Sequence, residues 1–216
     1  MSGPPADLAR ITAVVLAAGT GSRFAGPGHK LLQPIAGRPV VVWAVEAALG
    51  AGCAEVVVVE GAIPLAEVLP EEVVRLENPD HATGQASSLQ MALRWCAERD
   101  RLAVVVGLGD QPFVPTAAWR AVASSTIAPI VAASYRGRRR NPVRLDRSIW
   151  PLLPTTGDEG ARVVMASRPD LVGEVACDGE PLDVDTVQDL AAAQAEAERG
   201  GPRPRGGRTR GLHVWG

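Results

Sequence analysis

Two cations stand just behind a glycine-rich turn. Arg23 and Lys30 follow Gly19-Thr20-Gly21-Ser22, and the turn closes the apolar run Ala13 to Ala18. Glycines at 19 and 21 let the backbone bend sharply and come close to a ligand. Successive N–H groups in such a turn form a concave nest for an anion. Arg23 offers a planar fork and Lys30 a point charge, a combination that neutralises a polyphosphate. These residues predict a nucleoside triphosphate site, against the alternative of a plain strand-to-helix turn with surface cations. Two familiar glycine motifs are excluded. The dinucleotide fingerprint needs a third glycine where Phe24 stands, with an acidic strand end about 20 residues on; only Glu46 is near, in a helical stretch. A P-loop needs Lys after its second glycine, but Pro27 follows Gly26.

A carboxylate adds to this chemistry. The apolar run 102–108 ends in Gly109-Asp110-Gln111-Pro112. In an open α/β sheet, ligands sit outside the carboxyl ends of the strands. Asp110 there is placed to hold Mg²⁺, which often binds through one or two carboxylates plus phosphates. The alternative is an ordinary turn aspartate.

The elements that must position these groups alternate. Ala13–Ala18 predicts a buried strand, because it is short, β-branched and bounded by turn residues. Arg38–Leu49 predicts a helix next to Pro39 that stops at Gly50. Strands follow at 55–60 and 73–78. Leu89, Leu93 and Cys96 share one helix face, and Gly84, Ser87 and Ser88 stand where that helix begins. Read alone, those small hydroxylated residues either cap the helix or face a ligand. His81, in the preceding loop, is given no role. A helix at 115–125, a strand at 128–135 and a cationic turn leading into a short strand at 136–145 come next. Asp158 and Glu159 are expected to cap a further helix, with closing strands at 171–176 and 181–185 and a helix at 186–199. This alternation predicts a three-layer α/β/α sandwich around a mostly parallel sheet.

The totals bound the rest. A chain of 216 residues, 46% hydrophobic and 21% charged, suits one globular domain, expected over 1–198. Net charge is −2, but 199–216 hold five Arg and no acid, so the body carries −7. An acidic body does not suit a general nucleic-acid binder. Cys53, Cys96 and Cys177 are far apart, without zinc spacing, as expected of reduced thiols in a cytoplasmic protein. The polar start, MSGPPADLAR, is not expected to be a signal peptide. No apolar run reaches the ~18 residues of a membrane span. The Gly-, Pro- and Arg-rich segment 199–216 is expected to be a disordered tail.

Taken together, Leu16, Ala17, Ala18, Gly19, Arg23, Lys30, Leu31, Leu32 and Pro34 resemble the signature of the MobA-like nucleotidyltransferases. The resemblance is nearest the molybdenum cofactor cytidylyltransferase branch, because the chain has L-A-A-G and G-D-Q-P. It departs in one respect: six residues, FAGPGH, separate Arg23 from Lys30, where the family commonly has about four. The resemblance spans residues 11 to 190 and implies a Rossmann-like nucleotidyltransferase fold. It implies that Leu16, Ala17, Ala18, Gly19, Arg23 and Lys30 wrap the triphosphate of CTP or GTP. Asn78, Gly84, Ser87 and Ser88 are similar to the base and sugar segment, and Asn141-Pro142 to a turn beside the acceptor pocket. Gly157-Asp158-Glu159-Gly160-Ala161-Arg162 resembles a G-D-x-G-A-R element, with a structural role as the alternative to substrate contact. Asp185, with Asp183 in reserve, is implied as the second Mg²⁺ ligand beside Asp110. Arg23, Lys30 and Asp110 are the implied catalytic groups.

The implied reaction moves a nucleoside monophosphate, CMP from CTP first of all, onto a phosphorylated acceptor such as molybdopterin cofactor, with release of pyrophosphate. A guanylyltransferase of the same family is one alternative. Another is a diverged NAD(P)H-dependent oxidoreductase, whose loop would hold a dinucleotide pyrophosphate. The third is a non-catalytic partner of a molybdoenzyme or its chaperone.

Overall fold

The computed structural model describes residues 7–179 and 181–200. The expected disordered tail lies, from residue 201 onward, outside the described residues.

The first strand, β1 (Ile11–Ala17), is buried at every position. It pairs in parallel with β4 (Glu55–Glu60) on one side and β6 (Ala103–Leu108) on the other. A strand flanked in this way and covered on both faces needs apolar side chains throughout, which is why ITAVVLA shows no alternation. Each fully buried valine contributes roughly 1.5–3 kcal/mol relative to an exposed one. Between β1 and β4 come a two-stranded hairpin, β2 (Pro34–Ile35) with β3 (Arg38–Pro39), and the helix α1 (Val40–Leu49). The helix therefore starts two residues later than expected. Arg38 precedes a proline, which disfavours helical backbone, and it pairs with Ile35 across the Ala36-Gly37 turn. Trp43 ties α1 to this hairpin by donating its indole N–H to the Ile35 carbonyl at 3.2 Å.

The chain continues through β5 (Val74–Glu77), α2 (Gln85–Ala97), β6, α3 (Thr116–Ser124), β7 (Ile130–Tyr135) and β8 (Arg138–Asp146). It ends with α4 (Arg162–Ser167), β9 (Val172–Ala176) and α5 (Val187–Glu198). The seven-stranded sheet runs β5-β4-β1-β6-β8-β7-β9. Only β8 is antiparallel to its neighbours. The arginine-rich stretch is a strand rather than a turn. The reversal itself is confined to Arg136 and Gly137, both with positive φ, the backbone of a tight hairpin.

Successive strand residues face opposite layers. Ala13, Val15 and Ala17 pack with α1, α3 and Ala193 of α5, while Val14 and Leu16 pack with α2 and Val164 of α4. The sandwich therefore has three layers, as expected.

Two local expectations fail. Residues 181–185 form no strand. The Val184 amide donates to the Asp110 carbonyl, but those of Asp185 and Thr186 donate to the Asp189 carboxylate, which caps α5. These N–H groups are thus unavailable to a strand ladder. Nor do Asp158 and Glu159 cap α4, whose N-cap is Ala161 with no side-chain bond.

Candidate active site

The order of the sheet reverses direction at β1. The chain leaves β1 toward β4 and β5, then returns through α2 to β6 on the other side. The loops after β1 and β6 diverge there, opening a crevice at the carboxyl ends of the strands. A cavity of about 740 Å³ occupies it. Leu16, Ala17, Ala18, Gly19, Arg23, Lys30, Gly84, Ser88, Asp110, Asp183 and Asp185 all line it. Residues spread over 170 positions of sequence are thus brought to one wall.

Lys30 is at the centre. Its ammonium lies 2.6 Å from Asp110 Oδ2 and 2.7 Å from Asp185 Oδ1. Burial disfavours its charge, but the Asp110 charge and hydrogen bond, followed by those of Asp185, outweigh it and hold the ammonium above the usual lysine range. Burial pushes the Asp110 carboxyl up, and the nearby Lys30 only partly offsets this. Arg23 reaches Asp185 Oδ2 at 2.9 Å from an exposed position, and such a pair contributes little to stability. Asp183 is turned elsewhere. It accepts from the Gln111 side chain at 2.5 Å, and Gln111 accepts from Asn141 at 3.0 Å. Asp185 therefore faces Asp110, while Asp183 belongs to a neighbouring amide network.

The 19–22 loop lines the same cavity. The amides of Gly19, Thr20, Gly21 and Ser22 donate to no group among the described residues. A Cβ on Gly19 would meet nothing within 4 Å. The loop is an open cradle lined with N–H groups, suited to an anion.

The residues also fit a divalent cation. The second oxygen of Asp110, Oδ1, is buried without a hydrogen-bond partner, which is costly unless a ligand satisfies it. Lys30 already places a cationic group between two carboxylates. The described residues contain no cluster of three or more His, Cys, Asp or Glu able to hold a metal. Two carboxylates with phosphate oxygens suit Mg²⁺ better than an all-protein cage does.

Asn78 stands behind the wall rather than on it. It is buried, and its amide donates to both Ser87 Oγ and Ser88 Oγ at 2.9 Å. Both donors are consumed, so Asn78 orients the serines. Ser87 also donates to the Asp80 and Gly84 carbonyls, and α2 starts without a side-chain cap. Gly84, at φ +109°, packs against the 157–158 loop: a Cβ would lie 2.5 Å from the Gly157 carbonyl. Gly84→Ala is expected to destabilise the protein by about 1–3 kcal/mol, from strain and backbone clash together. The midpoint of urea unfolding measures this; an unchanged midpoint would show that the loop yields freely.

Three further side chains bear on the site: the sequence reading named Arg162, as part of the G-D-x-G-A-R element, and missed Arg140 and His29 as individual residues. Arg140 and Arg162 line the cavity with no ion-pair partner among the described residues. Their signal was the charge run 136–140 and the G-A-R element. His29, within FAGPGH, bonds the loop carbonyl of Gly19.

Comparison with known proteins agrees with this geometry. Residues 13–172 match the MobA-like NTP transferase domain. Nicotine blue oxidoreductase of Paenarthrobacter nicotinovorans is 35% identical over 201 residues, covering 85% of this chain and 96% of that protein. The Mycobacterium sp. strain JC1 homologue of Mycobacterium tuberculosis Rv0371c superposes with a TM-score of 0.78 at 28% identity, over 88% of this chain and 98% of its own. Rv0371c of Mycobacterium tuberculosis, crystallised in complex with manganese, gives a TM-score of 0.65 at 27% identity, over 86% and 98% of the two chains. With the motif order, the crevice and a family match over most of its length, the chain belongs to the MobA-like NTP transferase family.

Proposed function

We propose that the chain is a Mg²⁺-dependent nucleotidyltransferase that moves CMP from CTP onto a phosphorylated acceptor such as molybdopterin cofactor and releases pyrophosphate. The observation that carries this reading is Lys30, buried between Asp110 and Asp185 beside a loop whose amides have no acceptor among the described residues. A phosphate oxygen of the acceptor attacks the α-phosphorus, and the bond to the bridging oxygen of the departing pyrophosphate breaks. The amides of 19–22 and Arg23 hold the triphosphate in line. Lys30 offsets the negative charge that builds on the α-phosphate. No general base is needed, because the nucleophile is already an anion. The chain thus contributes positioning and preorganised charge. Asp110 and Asp185 would hold Mg²⁺, which supplies further neutralisation of the phosphates. The manganese complex of Rv0371c supports a divalent ion in this setting.

Leu16, Ala17 and Ala18 form the floor of the nucleotide site, and Gly84 and Ser88, held by Asn78, face the base and sugar. Arg140 and Arg162, which line the cavity without an ion-pair partner among the described residues, suit the anionic acceptor. GTP is the alternative nucleotide. The proposal takes 1–198 as one transferase domain, places the protein in the cytoplasm, and allows a molybdoenzyme or its chaperone to receive the product. Among the described residues no helix is long and apolar enough to cross a membrane.

A second reading has its own observation, the 35% identity to an oxidoreductase. Here the loop would hold the pyrophosphate of NAD(P)H. One feature counts against it. Glu60, the acid at the end of β4, is buried, accepts from the Leu65 amide at 2.8 Å and Arg75 at 3.2 Å, and does not line the cavity, so it is not placed to receive a ribose diol.

Thermal shift against CTP, GTP, ATP, UTP and NADPH, each with and without Mg²⁺, separates the two readings, since a ligand of the native state raises its apparent stability. A Mg²⁺-dependent shift with CTP is the expected result. A shift with NADPH and none with any triphosphate would replace the transferase with the reductase.

A further inference from the structure

The six residues between Arg23 and Lys30 bring an imidazole under the anion loop. His29 Nε2 lies 3.0 Å from the Gly19 carbonyl oxygen, and the Leu31 amide donates to Nδ1 at 3.3 Å. The second contact fixes the roles. Nδ1 accepts, so it carries no proton; Nε2 therefore carries it and donates to Gly19. Gly21, at φ +65°, passes so close that a Cβ there would lie 3.1 Å from Nε2. The ring thus joins the two ends of one turn: the loop that would cradle phosphates, and the 3₁₀ turn Lys30–Leu32 that aims Lys30.

We propose that His29 is a positioning residue for the anion loop, tying the Gly19 carbonyl to the Leu31 amide so that the amide cradle and the Lys30 ammonium keep a fixed relation. A relevant role in nucleotide transfer rests on reading this loop as a triphosphate site. Both bonds can coexist only on a neutral ring. A proton on Nδ1 would face the Leu31 N–H, donor against donor. Burial holds the imidazole below the ordinary histidine value, and the neighbouring Lys30 charge pushes in the same direction, against the Gly19 and Thr20 backbone groups that favour the proton. The sign follows. A depressed folded value means that the pin is intact at and above the ordinary histidine pKa and is lost as pH falls through the folded value.

The test compares His29→Ala and His29→Gln with the wild type. The Gln amide can reach the Gly19 carbonyl from the Nε2 position but does not titrate. The first readout needs no ligand: amide hydrogen exchange of Phe24 and Leu31, whose N–H groups donate to the Gly21 carbonyl and to His29 Nδ1, expressed as protection relative to the free chain, from pH 5 to pH 8. In His29→Ala, protection of these amides is expected to lie roughly tenfold below wild type near pH 8, about the net worth of one hydrogen bond, with the gap closing in acid as the wild-type ring takes up its proton. Wild-type protection should fall on acidification, whereas His29→Gln, which keeps the bond to Gly19 but not the acceptor for Leu31, should keep protection at Phe24 and show no such fall. Equal protection in all three proteins, or a wild-type acid fall shared by His29→Gln, would overturn the proposal. The second readout is CTP affinity with Mg²⁺ by calorimetry at the same pH values. Titration of the nucleotide is common to all three proteins and cancels in the comparison. Weaker binding in His29→Ala, restored in His29→Gln, supports the positioning role. If the loop loosens in His29→Ala but the wild type binds no triphosphate, the pin stands and the transferase reading fails.

Discussion

Asp110→Asn is expected to lower transfer by about 10³-fold, the scale of losing one preorganised charge from a transition-state site, while the protein remains folded. The fold should survive because the structural contact of this residue is made by its backbone: the Asp110 carbonyl accepts from Val184, whatever the side chain. The amide also keeps an oxygen for Lys30. What is lost is the charge, and with it the hold on a divalent ion by the buried, unpartnered Oδ1. Pyrophosphate release from CTP in the presence of a phosphorylated acceptor measures the first effect, and the thermal midpoint the second. Near-normal turnover would exclude the metal role of Asp110. A collapsed midpoint would mean that the charge holds the fold together as well.

Lys30→Met should act in the opposite way, on stability first. The ammonium is buried between two carboxylates. Removing it leaves Asp110 and Asp185 facing each other, with Asp183 nearby. Breaking a buried pair by deleting one partner costs 3–5 kcal/mol. Both carboxylates keep about a fifth of their side-chain surface in water, so a loss of about 2 kcal/mol at neutral pH is expected. The Lys30 ammonium is held above its ordinary value, so its contribution is complete below that value and is lost only as alkali carries the pH through the raised one. The deficit of the variant should instead shrink in acid, as the Asp110 carboxyl, already pushed up by burial, takes up its proton. It should also shrink when millimolar Mg²⁺ is added, because a divalent ion can take the place that Lys30 vacates. Urea unfolding with and without Mg²⁺ measures this. A variant as stable as the wild type, or one indifferent to Mg²⁺, would refute the account of Lys30 as the resident cation between two ligands.

Much of this site was legible before any coordinates. Gly19, Arg23, Lys30 and Asp110 are legible in combination: a glycine turn and a carboxylate each follow a buried strand, and two cations stand close behind the turn. Strands such as 55–60 are legible for a plainer reason: a central parallel strand must be apolar on both faces. What stayed hidden depends on pairing across the fold. Nothing in PLDVD says that its amides serve the cap of α5 rather than a ladder. Asn78 looks like a ligand contact until its amide is seen to be consumed by Ser87 and Ser88. The preference for Asp185 over Asp183 became geometric only when Gln111 was found bonded to Asp183. His29 was overlooked because its two bonds run to backbone atoms, which leave no trace in residue types.

The bond between the Val184 amide and the Asp110 carbonyl also ties the site to the last part of the described chain. Lys30 and Asp185 are 155 positions apart, so their contact closes one of the longest loops in the chain, and long-range contacts form late. Every strand of the sheet but β9 ends by Asp146, whereas the second carboxylate follows β9 and lies just before α5. The sheet and the site therefore have different requirements: without the segment 181–186, Lys30 and Asp110 would form a two-membered site on a sheet that is already paired.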